Sequence, residues 1–90
     1  MDNFNFDEFK EKLEKQLDFP CVYMFKFIIE SSNKKLALVE ALFKEESEVS
    51  TRTSSNGKFI SVTSKQLVLN AEEIISIYKN ANNIEGIMAM

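Results

Sequence analysis

Ninety residues with 44% hydrophobic content, one Pro and two Gly suit a chain that closes around one core and no more, since a chain this long buries roughly 60–65% of its unfolded surface. A single domain over residues 1–90 is expected. The net charge of −3 sits at the N-terminus: residues 1–20 hold six acids and three Lys, and the remainder holds eight of each sign. An acidic chain without a basic stripe offers little of the phosphate attraction that supplies non-specific nucleic-acid affinity, so no nucleic-acid partner is expected.

The acids Asp2, Asp7 and Glu8 speak against a secretory leader, and the lone Cys21 cannot form an internal disulfide. The longest apolar stretch, Phe19 to Ile29, is broken by Lys26 and spans about half of the roughly 20 residues that a membrane helix needs. A cytoplasmic protein with no membrane contact is the expectation.

In chain order, Phe6, Phe9, Leu13 and Leu17 recur at helical spacing and predict an amphipathic helix over 5–18. Asn5 and Glu8 have capping-box spacing, and Phe4 and Phe9 occupy the positions of a hydrophobic staple. Pro20 separates this helix from the next segment, because the residue before a proline is pushed out of helical geometry.

From Cys21 to Ile29, Tyr23, Phe25 and Phe27 alternate with Val22, Met24, Lys26 and Ile28. Both faces are largely apolar, which predicts a central strand covered on both sides, with Lys26 on the less buried face. Glu30-Ser31-Ser32-Asn33 then supplies caps for a helix that carries Leu36, Val39, Leu42 and Phe43 and reaches about Glu45. The polar run Val49 to Thr53 predicts an edge strand. Ser54-Ser55-Asn56-Gly57 is a hairpin turn, followed by a strand from Lys58 with a bulge or end at Lys65-Gln66.

Asn70 with Glu73, and Leu69 with Ile74, repeat the cap and staple spacings ahead of a stripe of Ile74, Ile77, Tyr78 and Ala81. Asn80, Asn82 and Asn83 end that helix through their tolerance of left-handed geometry. Ile84 to Met90 is the last strand. The order from Pro20 onward is therefore β-α-β-β-α-β. The simplest packing is α+β, a ferredoxin-like plait over 20–90 with a four-stranded antiparallel sheet, two helices on one face and the first and third strands central. The other sheet face is left for the N-terminal helix or a partner to cover.

Reactive chemistry is sparse. No His is present to serve as base or ligand, glycine loops for phosphate are absent, and Cys21 would need an activating Lys or helix terminus. Neither enzyme activity, nor a cofactor, nor a metal site is expected. Val22-Tyr23-Met24 loosely resembles the first-strand motif of RNA-recognition motifs. The third strand, Phe59-Ile60-Ser61-Val62, lacks the spaced aromatics that stack bases in that family.

Phe19-Pro20 with the strand after it, the run Ser54 to Thr63, and Ile77-Tyr78-Lys79 with Ile84-Glu85-Gly86 together resemble the small bacterial YbeD-like proteins over about residues 19–90. That family is a domain of unknown function. The resemblance implies a plait similar to the regulatory ACT domains, which bind amino acids near a glycine between the first strand and first helix. Here that loop, Glu30 to Asn33, has no Gly.

Two functions are therefore weighed. One is a non-catalytic regulatory or adaptor domain with a protein partner, in which the apolar terminal strand around Ile87 and Met88 pairs with a second copy as a homodimer or is covered. The alternative is a small-molecule sensor that holds an anionic metabolite at Ser31, Ser32 and Asn33, where a helix N-terminus favours negative charge.

Overall fold

In a computed structural model, which describes residues 4–90, a ten-residue strand β1 (Cys21–Glu30) pairs along its whole length with β3 (Phe59–Val68), from Cys21 opposite Val68 to Glu30 opposite Phe59. Asp2, one of the acids of the N-terminal excess, lies outside the described residues. The edges are β2 (Glu48–Thr53) beside β3 and β4 (Met88–Ala89) beside β1, giving one antiparallel sheet in the order β2-β3-β1-β4. Three helices, α1 (Phe6–Gln16), α2 (Asn33–Glu40) and α3 (Ala71–Ala81), complete the fold.

Alternation in β1 decides where the core lies. Successive side chains point to opposite faces, and Phe25, Phe27 and Ile29 are almost wholly buried under the helices with Val62 and Val68 of β3. Tyr78 of α3 packs its ring 5.5 Å from that of Phe25 and 5.6 Å from that of Phe27, and Phe43 lies 5.9 Å from Phe25. The opposite face of β1 is not covered as its composition suggested. Val22 is 68% and Met24 55% exposed. The N-terminal helix does not reach that face either: Phe9 packs edge-on against Tyr78, Lys10 bonds Glu72 at 3.0 Å, and α1 lies against α3 on the helix side.

The helix starts follow their caps. The Asn5, Ser32 and Asn70 side chains accept from the backbone N–H groups of Glu8, Lys35 and Glu73, three residues on. Phe4 and Phe9 meet edge-on at 5.4 Å as a staple. Leu69, by contrast, leaves 60% of its surface exposed while Ile74 is buried.

Several boundaries differ from the sequence reading. The second helix stops at Glu40 instead of Glu45, because tighter three-residue turns close at Leu42 and Phe43 and swing Phe43 onto the core. β3 runs unbroken through Lys65 and Gln66, since Gln66 turns inward and its amide oxygen accepts from Lys44 N–H at 3.2 Å. The last strand shrinks to Met88–Ala89, and Ile84 is buried in the turn before it. Asn82 stays right-handed at φ −57°, and the left-handed positions fall on Gly57 and Gly86.

One polar clamp ties these parts together. Lys44 Nζ lies 2.8 Å from Glu73 Oε1 and donates to Leu67 O at 3.0 Å, while Glu73 Oε2 accepts from Leu69 N–H. The bond from Lys44, followed by that from Leu69, holds the Glu73 carboxyl below its ordinary value of 4.5. A carboxyl with a lowered folded pKa adds stability above its unfolded pKa and loses it as pH falls through the folded value. The difference in urea-unfolding stability between wild type and Glu73→Gln should therefore shrink as pH falls below 4.5. Phe27→Ala should cost about 3–5 kcal/mol in the same assay, whereas Val22→Ala on the uncovered face should change stability by less than about 0.5 kcal/mol.

Candidate functional site: the β1–α2 junction, the open sheet face and a groove beside β4

The three residues at the β1–α2 junction do different work. Ser31 Oγ donates to Gly57 O at 2.6 Å and Ser31 N–H donates to Lys58 O at 2.9 Å, so this residue fastens the junction to the hairpin turn. Ser32 is the N-cap of α2, and Asn33 is the first, exposed residue of that helix. Both serine side chains are engaged with backbone. Gly86 approaches the same region, where a Cβ would stand 3.4 Å from Lys35 Nζ and 3.9 Å from Glu30 Oε1.

Ile87 and Met88 point to opposite sides of the sheet. Met88 pairs with Ile28 and shares its outward face, whereas Ile87 packs against the core. The outward face collects Val22, Met24 and Ile28 of β1 with Phe59 and Leu67 of β3, following the register Val22–Leu67 and Met24–Lys65. Phe59, Leu67 and Met88 are each between 41% and 52% exposed. Lys26, Lys65 and Arg52 stand among them, with Glu48 opposite Lys65 and Glu30 opposite Phe59. Val22, Met24 and Leu67 lie towards one end of this face and Ile28, Phe59 and Met88 towards the other, with Lys26, Lys65 and Thr63 between them. The sequence predicts a sheet face left open by the two plait helices, while the apolar composition of β1 suggested that Val22 and Met24 on it would be covered; both are exposed.

On the helix side of the same edge, a groove of about 660 Å³ runs between α1 and β4. Phe4 and Phe9 form one wall, Tyr23 and Tyr78 the floor, and the segment Ile87 to Met90 the other wall. The two tyrosine hydroxyls are 3.4 Å apart. Burial, reinforced by that contact with Tyr23, pushes the Tyr78 phenol upward, so it stays protonated at neutral pH. Proton donors and an apolar lining are available there; a nucleophile is not.

Among the described residues, no three His, Cys, Asp or Glu side chains come together as a metal site, and no helix is long and apolar enough to cross a membrane. Cys21 is half-buried as a free thiol.

Residues 14–90 match the family described as protein of unknown function (DUF493). A UPF0250 protein of Shewanella baltica is 31% identical over 80 residues, covering 84% of this chain and 91% of the relative. UPF0250 proteins of Shewanella piezotolerans and Shewanella oneidensis are 29% and 26% identical over the same share of each chain. No solved structure matches. The matched region begins inside α1, five residues earlier than the resemblance read from the sequence. With the resemblance to the YbeD-like proteins borne out, the chain belongs to the DUF493 family of small bacterial proteins, whose function is unknown.

Proposed function

We propose that this chain is a non-catalytic cytoplasmic adaptor or regulatory domain, a ferredoxin-like plait of the ACT-like kind that acts through protein contacts on its open sheet face. The observation that carries the reading is the exposure of Val22, Met24, Leu67 and Met88 on one face of the sheet while all three helices lie on the other. Large apolar side chains exposed together on one sheet face mark interaction sites. The sheet order β2-β3-β1-β4, with two right-handed crossovers expected, supports the plait.

Catalysis draws no support from the site, since the hydroxyls of Ser31 and Ser32 are held by backbone and no base stands beside them.

A photo-crosslinking residue placed at Ser61, on the open face, tests the proposal in cells. One dominant adduct is expected, and Leu67→Lys should reduce it several-fold. An adduct with a second copy would make the face a homodimer interface, and one with another protein would make it an adaptor surface. Absence of any adduct above background would overturn the reading. In parallel, a thermal-shift panel of amino acids, nucleotides and acyl metabolites should be silent, whereas a bound ligand at about a hundred times its Kd would add roughly 2.7 kcal/mol and raise the melting temperature.

A further inference from the structure

β4 pairs with β1 only at Phe27 and Ile28, and Met90 N–H adds one bond to Lys26 O. Among the described residues, the other half of that edge, Cys21 to Phe25, has no neighbouring strand on the β4 side. In an antiparallel strand both backbone groups of a residue point to the same edge, and alternate residues point to opposite edges. The bond from Ser31 N–H to Lys58 O places odd-numbered residues towards β3, and that from Met90 to Lys26 places even-numbered ones towards β4. Val22 and Met24 therefore each aim an N–H and a C=O past the end of β4. Among the described residues none of these four groups has a hydrogen-bond partner.

We propose that this free half-edge takes an extended peptide from a partner protein as an added antiparallel strand, with an apolar side chain in the groove beneath α1 and acidic side chains towards Lys26. The inference rests on the reading that the chain works through protein contacts, and it names a second surface and the chemistry of its occupant. Free donors and acceptors at strand spacing are the template for such addition. The five open residues correspond to a peptide segment of about 17 Å.

Side-chain complementarity follows from the register. A peptide residue opposite Tyr23 forms a non-hydrogen-bonded pair, in which the two Cα atoms approach to about 4.5 Å. Its side chain enters the groove walled by Phe4 and Phe9. The residue opposite Met24 emerges on the open face, diagonal to Lys26, with Lys65 as the next side chain across Met24. No acidic residue of β1 lies in this half, and Glu48 sits on the far side of Lys65, so a carboxylate on the peptide meets uncompensated Lys26.

The test uses the full chain and a capped pentapeptide, Val-Glu-Phe-Glu-Val, followed by amide hydrogen exchange. Val22 and Met24 should exchange at least ten-fold more slowly with peptide bound. Lys26→Glu should weaken binding at least five-fold. Val22→Pro removes one free N–H without touching the β3 ladder, and should also weaken it. Methylating the peptide nitrogens that face β1 should abolish binding. Unchanged exchange at Val22 and Met24 with millimolar peptide, or equal binding of the methylated peptide, would overturn strand addition. Neither result would disturb an adduct formed at Ser61, which lies on the open face near β2, so the two proposals fail separately.

Discussion

The ten-pair ladder between β1 and β3 is the constraint on which the rest of the structure depends. Because side chains alternate strictly along a strand, the register that puts Phe25 and Phe27 under the helices also puts Val22, Met24 and Ile28 on the other side. β1 is apolar on both faces, yet all the helices gather on one. Lys10, Phe9 and Phe6 of α1 are spent on Glu72, Tyr78 and Lys79 of α3. The open face is thus a direct result of one strand's composition and of where the extra helix finds its partner.

The helix-side core is also not uniformly apolar. Ser64 and Gln66 of β3 are buried, and among the described residues the Ser64 hydroxyl and the Gln66 amide nitrogen have no hydrogen-bond partner. Leaving such a group unsatisfied costs about 1–3 kcal/mol. Gln66 recovers part of this through its oxygen, which accepts from Lys44. The same Lys44 then reaches Leu67 and Glu73, so a single residue after α2 joins the end of β3 to the start of α3. Burial of a polar strand residue and the clamp beside it belong to one arrangement.

Much of this was legible in the sequence. Capping residues Asn5, Ser32 and Asn70 have short-range geometry that local pattern specifies, and Asn56-Gly57 marks the hairpin that Gly57 closes at φ +74°. The central position of β1 and the border position of β2 also followed from composition. What was hidden depends on distant partners. Gln66 resembles a strand end until Lys44 meets it from another segment. Phe43 has helical spacing, yet the core is reached by a turn. The extent of β4 is set by how far the chain after α3 must travel past Gly86, which no periodicity records. The apolar run of Val22 and Met24 describes a doubly covered strand as well as an exposed one, so their exposure was not legible.

The β1–β3 register also sets the order in which the chain can be protected as it is made. β1 emerges from synthesis first, and the residue that pairs with Glu30 is Phe59, so the most apolar strand waits for its partner through α2 and β2. Translation at about 5–20 residues per second leaves both of its edges unpaired for a few seconds, long compared with hydrophobic collapse. Two residues suit that interval: Pro20, which cannot extend a ladder at the strand's start, and Lys26, which places a charge in the middle of an otherwise apolar run. Each breaks the pattern that drives cross-chain aggregation. Lys26 therefore acts as a gatekeeper before the sheet exists, quite apart from anything it contacts afterwards.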